Sequence, residues 1–124
     1  MIGLPSDIVI YVCTMPVDLR RSFDGLSGIV RSQFGREPDD GSLFLFINKR
    51  RDRLKALRWE PGGYVLWYKR LESGTFEMIP SGPNDRSVNI DATQLAMLVS
   101  GVPLRQVRRR RYGDPEKTTV ARSC

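Results

Sequence analysis

The sequence contains no histidine. Ser-His-Asp and Cys-His catalysis are thereby excluded, and so is the side chain that most readily shuttles protons near neutral pH. Its two cysteines, Cys13 and Cys124, are too few for a four-ligand zinc site. Cys13 lies in an apolar run and Cys124 in a polar tail, so both read as free thiols in a reducing compartment. No apolar run approaches the roughly 20 residues that span a bilayer. Met1–Asp7 lacks the basic stretch and small-residue cleavage site of a secretory leader. The expectation is a cytoplasmic protein with no membrane partner. Carboxylates are present, but Asp18, Asp24, Asp52, Glu60 and Glu72 follow none of the spacings that hold a catalytic metal. A phosphate-cradling loop, a dinucleotide fingerprint and a nucleophile elbow are all missing. The sequence therefore reads as a non-enzyme, with no catalytic residue, metal or cofactor.

What the sequence does have is positive charge, unevenly placed. The net charge is +6. Residues 49–70 hold Lys49, Arg50, Arg51, Arg53, Lys55, Arg58, Lys69 and Arg70 against Asp52 and Glu60. Residues 105–124 hold Arg105, Arg108, Arg109, Arg110, Arg111, Lys117 and Arg122 against Asp114 and Glu116. The segments 1–48 and 71–104 are both net acidic. Charge concentrated in two places points to a face for a polyanion, nucleic acid first and an acidic protein second. A solvated hairpin with a solubilising tail is the plainer alternative. On a strand, Arg51, Arg53 and Lys55 would form a row with steps of roughly 7 Å, near the phosphate spacing of one nucleic-acid strand. Trp59, Tyr64, Trp67, Tyr68 and Phe76 interleave with these charges. Base stacking is open to such rings, but most read as core, Trp67 above all. The run Leu43–Phe46 lacks the glycine-containing pattern of RNA-recognition folds.

Ile8–Cys13 is β-branched and apolar on both sides, and reads as a buried strand ended by Pro16. Leu19, Phe23, Leu26, Val30 and Phe34 then recur at helical spacing, predicting a helix over residues 18–34 with Asp18 as N-cap and Gly35 beyond its end. Gly25 and Gly28 in that stretch suggest a close approach of the helix backbone to the sheet. Four apolar runs over residues 42–79, joined by three short links of which two contain glycine, predict an antiparallel meander. Residues 80–89 read as a loop. Asp91 and Gln94 have capping-box spacing, opening a short helix that Gly101 closes. The fold class is α+β: a mostly antiparallel sheet of about five strands with two helices. Residues 1–104 form the single domain, and 105–124 a basic tail expected to be mobile without a partner.

Three separated motifs carry a family resemblance. They are Pro16-Val17-Asp18-Leu19-Arg20-Arg21-Ser22-Phe23-Asp24-Gly25-Leu26, then Leu43 through Lys55, then Leu66-Trp67-Tyr68-Lys69-Arg70-Leu71-Glu72-Ser73-Gly74-Thr75-Phe76. Over roughly residues 7–104 the sequence resembles the TnpB accessory proteins, the second reading frame of insertion sequences of the IS sixty-six type. The resemblance implies a small protein made beside a separate, larger transposase and needed for efficient transposition. It also implies that the strand-transfer carboxylates lie in that larger protein. Arg58 departs from the pattern, standing beside Trp59 where an apolar or aromatic residue is expected. The combined expectation is a non-catalytic accessory factor of DNA transposition, cytoplasmic and associated with the nucleoid. DNA would meet Lys49, Arg50, Arg51, Arg53, Lys55, Lys69 and Arg70, with Arg105, Arg108, Arg109, Arg110 and Arg111 as a second contact. The alternative is an adaptor whose basic face docks the transposase or a sister accessory protein.

Overall fold

In the computed structural model, residues 4–77 and 79–101 are described. Five strands form one sheet: β1 (Ile10–Cys13), β2 (Leu43–Ile47), β3 (Arg53–Glu60), β4 (Gly63–Arg70) and β5 (Ser87–Ile90), in the order β4-β3-β2-β1-β5. β1 and β2 pair in parallel, while the other three pairings are antiparallel. Parallel neighbours need a crossover connection, which here contains helix α1 (Phe23–Ile29) and a π-helical turn, Val30–Phe34. Helix α2 is Ala92–Ser100.

Alternation along the strands gives the sheet two buried faces. Ile10, Val12, Leu43, Leu45, Ile47, Leu54 and Ala56 meet Leu95 and Leu98 of α2 and Phe76 on one side. Cys13, Phe44, Phe46 and Leu57 meet Leu26, Val30, Val17 and Leu19 on the other. β2 is buried at every position, which is why Leu43–Ile47 shows no polar alternation. The π-helical turn brings Phe34 into the aromatic group of Tyr11, Phe44 and Phe46, with ring centroids 5.2–6.0 Å apart. Phe44 and Phe46, both fully buried, each gain about 1.5–3 kcal/mol from that burial.

The first helix is shorter than its periodicity predicts. Residues before Phe23 are not helical, because Val17 donates its N–H to Ile47 C=O at 3.0 Å and Asp18 turns to Arg20 instead of capping. Gly25 comes close to its own chain, a Cβ there lying 3.0 Å from Arg21 Cβ, while Gly28 faces open space. Neither marks a close approach to the sheet. The meander stops at Arg70. Thr75–Glu77 and Ile79 form no strand, and the fifth strand comes from Ser87–Ile90, which overlaps the end of the loop predicted over residues 80–89. After Gly74 the chain passes below the sheet, burying Phe76 completely, and reaches the far edge beside β1. The second helix matches its sequence signature: Asp91 accepts from Gln94 N–H at 2.7 Å, Gln94 Oε1 accepts from Asp91 N–H at 2.9 Å, and Gly101 takes a left-handed conformation.

Candidate functional site

One end of the sheet gathers the cations. The C-terminal ends of β2 and β4, the start of β3 and the loop entering α1 all meet there. Burial of Val17 and Leu19 in that loop turns Asp18 and Arg20 outward. Arg20 Nη2 donates to Asp18 Oδ2 at 2.7 Å, and this guanidinium holds the Asp18 carboxyl well below the usual carboxylate range.

The turn between β2 and β3 is built around Asn48. Its Oδ1 accepts from the N–H groups of Asp52 (3.1 Å) and Arg53 (3.0 Å), while its Nδ2 donates to Asp52 Oδ1 at 2.8 Å. That amide bond also keeps the Asp52 carboxyl below its ordinary range. Arg51 adopts a left-handed conformation with φ 61°, which a side chain with a Cβ disfavours. From beneath, Leu71 N–H donates to Asp52 C=O at 2.8 Å and Phe76 N–H to Arg51 C=O at 2.6 Å. Lys49, Arg50 and Arg51 are therefore exposed on a frame fixed by hydrogen bonds. Among the described residues these three and Arg53 form no ion pair.

Between the turn and the Pro16–Arg20 loop lies a hollow of about 460 Å³, lined on one side by that loop and on the other by Asn48, Lys49, Arg50 and Arg53. Arg53 also stands directly opposite Arg70, although like charges opposed across a sheet disfavour pairing. Arg70 is joined to Glu72 at 3.2 Å. Guanidinium and ammonium groups arranged this way can donate to the oxygens of a phosphate or carboxylate, arginine in bidentate fashion.

The structure does not bring every predicted cation to this end in the same condition. Arg51 precedes β3, so no strand row of Arg51, Arg53 and Lys55 exists. Lys55 shares a face with Arg53, but its Nζ donates to Arg21 C=O at 2.9 Å and lies 5.2 Å from the Tyr68 ring centroid. Lys69 points to the opposite face, where its Nζ donates to Val99 C=O at 2.7 Å at the end of α2. Arg105, Arg108, Arg109, Arg110 and Arg111 lie outside the described residues. Arg58 is on the α2 face at the far end, paired with Glu60 at 3.0 Å, with its Nε buried and unpartnered among the described residues.

Two arginines of the site were not singled out from sequence. Arg20 lines the hollow, and Arg21 supplies the carbonyl that anchors Lys55. The available signal was two adjacent cations just ahead of a helix, where the macrodipole disfavours positive charge. Of the five interleaved rings, Phe76 is fully buried. Trp67 is half-buried against the α2 face, and Trp59 packs edge-on to Tyr64 at 4.9 Å. Tyr68 is 49% exposed.

A family model described as IS66 Orf2-like protein matches residues 8–109. Two curated relatives come from Sinorhizobium fredii (strain NBRC 101917 / NGR234). "Uncharacterized protein y4jC" is 36% identical over 117 residues, covering 94% of this chain and 98% of the relative. "Uncharacterized protein y4hO" is 33% identical over 105 residues, covering 82% and 89%. No solved structure matches the chain. Among the described residues no helix is long and apolar enough to cross a membrane. With the family model spanning both layers of the fold and the basic end of the sheet, the chain belongs to the IS66 Orf2-like family of transposition accessory proteins.

Proposed function

We propose that this protein is a non-catalytic accessory factor that binds DNA during transposition through the basic end of its sheet. The observation that carries the reading is the convergence of Arg20, Lys49, Arg50, Arg51, Arg53 and Arg70 on one end, with the turn cations held on a hydrogen-bonded frame and free of carboxylate partners among the described residues. Preordered cations bind with little further loss of freedom. Lys55 and Lys69 act in this reading as structural amines that hold the site together. The Arg105–Arg111 run supplies a second contact: it follows Gly101 closely, and a Cβ at Gly101 would lie 3.7 Å from Leu71, beside the turn. Four residues of chain reach at most about 14 Å. The larger transposase is the expected protein partner and the source of the chemistry.

Affinity for DNA measured against salt concentration tests this. Counterion release sets a slope of about −0.9 per duplex phosphate neutralised. Replacing Lys49, Arg50 and Arg51 together by Gln is expected to flatten the slope by roughly two to three units. Removing residues 105–124 flattens it independently. A wild-type protein that shows no salt-dependent DNA binding, yet co-purifies with transposase after nuclease treatment, would replace this reading with the adaptor one.

A further inference from the structure

The two edges of the sheet differ in how they are protected. β5 is four residues long, short enough to offer little template for pairing. β4 runs for eight residues, Gly63-Tyr64-Val65-Leu66-Trp67-Tyr68-Lys69-Arg70, and its pairing with β3 is continuous, with no bulge. Within β4 there is no proline, and its charges occur only at the last two positions. Val65 is 45% and Tyr68 49% exposed. A long, regular, largely uncharged edge is what natural sheets otherwise avoid.

The hydrogen-bonding phase of that edge follows from the hairpin. Pro61-Gly62 is a two-residue loop with Gly62 at φ 97°, so Glu60 and Gly63 close it as a hydrogen-bonded pair. Such pairs recur at Arg58–Val65, Ala56–Trp67 and Leu54–Lys69. The bond from Leu71 N–H to Asp52 C=O continues the same phase. The N–H and C=O groups of Tyr64, Leu66, Tyr68 and Arg70 therefore point outward from the sheet, and among the described residues no strand receives them.

We infer that this edge pairs with β4 of a second copy, antiparallel about a two-fold axis normal to the sheet. In the register that centres Trp67 on its own mate, Leu66 faces Tyr68 of the other copy, Tyr64 faces Arg70 and Val65 faces Lys69. Every cation then lies opposite an apolar or aromatic side chain. A parallel arrangement would bring the Lys69-Arg70 ends together, like charge beside like charge, which disfavours it. Self-complementarity of this kind is what an isologous interface requires. The axis keeps both α1 layers on one side of a continuous ten-stranded sheet. The two basic ends are separated by about 20 Å at Arg70 and about 40 Å at the turn tips, on strand rise and spacing alone. One turn of duplex DNA, about 34 Å, falls within that span. This last point rests on the DNA-binding reading; the dimer itself does not.

Sedimentation equilibrium of the full chain without DNA tests the dimer separately from that reading, and mobility shift on duplex DNA then tests the DNA reading. The expected result is a concentration-dependent dimer. Val65→Lys sets two like-charge pairs against Lys69 across the interface and should raise the dimer dissociation constant by roughly tenfold or more. Val65→Glu sets two opposite-charge pairs there and should leave it unchanged or lower it. Circular dichroism identifies any variant that fails to fold, and Tyr68→Glu, a second exposed edge substitution, then takes its place as the weakening variant. A wild type that stays monomeric at every concentration overturns the inference. So does a dimer that responds equally to Val65→Lys and Val65→Glu.

Discussion

Replacing Arg51 by glycine should make the protein more stable and a weaker binder of DNA. Arg51 has φ 61°, and the left-handed region costs a residue with a Cβ about 1–2 kcal/mol. Its backbone bonds, N–H to Asn48 C=O at 3.0 Å and C=O from Phe76 N–H at 2.6 Å, do not depend on the side chain. The side chain is exposed and joins no ion pair among the described residues. Relief of the backbone cost is therefore opposed chiefly by the extra freedom glycine gives the unfolded chain, about 0.4–1 kcal/mol. The expected net is a stabilisation of about 0.5–1 kcal/mol, seen as a rise in melting temperature of roughly 2–5 °C. On the DNA side, one phosphate contact is lost, flattening the salt slope by about 0.9. Arg51→Ala is the control, because it removes the charge but keeps the strain. It should flatten the slope equally and leave the melting temperature nearly unchanged. A glycine variant that melts no higher than wild type refutes the strain argument; an unchanged slope in a variant that still binds removes Arg51 from the interface.

Asn48→Ala should lower stability by about 2–3 kcal/mol in denaturant unfolding, since three hydrogen bonds worth about 0.5–1.5 kcal/mol each go with it; its DNA affinity should fall while the salt slope holds, because no cation is lost. Asp91→Ala should cost about 1 kcal/mol through loss of the capping box of α2, read in the same assay. Trp67→Ala should destabilise the domain by about 2–4 kcal/mol, at or below the range for fully buried rings, because Trp67 is only half-buried against the core. Burial pushes the Cys13 thiol above its ordinary pKa, so in a Cys124→Ser variant the native protein at pH 8 should resist thiol reagents, and modification should appear only with unfolding.

How much of this was legible follows from how local each signal is. The Asp91–Gln94 capping box and Gly101 involve neighbours within one turn, and they stand as the sequence predicts. The β2-β3-β4 hairpins were legible for the same reason, with Pro61-Gly62 fixing one turn. Asp18 misled because a carboxylate beside Arg20 has a charged partner nearer than any helix N–H. Thr75–Ile79 and Ser87–Ile90 are both short stretches with weak alternation, so propensity could not rank them. The outcome was decided by which edge each could reach: Phe76 is held beneath the turn by Arg51 C=O, which leaves β1 open to Ser87–Ile90. Lys69 and Arg70 adjoin on one strand and so face opposite sides, a consequence of alternation that the density of charge obscured.

Three local penalties coincide at the basic end, and their coincidence is the argument for a surface rather than scattered solubilising charge. Arg51 is in the left-handed region. Arg53 stands opposite Arg70. Arg20 and Arg21 precede a helix N-terminus, where cations are disfavoured. Away from that end Arg31 pairs with Glu37 and Arg36 with Asp40, whereas Lys49, Arg50, Arg51 and Arg53 form no ion pair among the described residues. A sequence selected only for solubility has no reason to bring these three penalties together in one spot. A polyanion reverses the sign of at least the two electrostatic penalties, since a phosphate between Arg53 and Arg70, or beside Arg20, turns repulsion into shared attraction. The fold allows this because its stability lies elsewhere, in a β2 buried at every position and two helix-covered faces. The basic end can therefore be strained and charged without endangering the core that presents it.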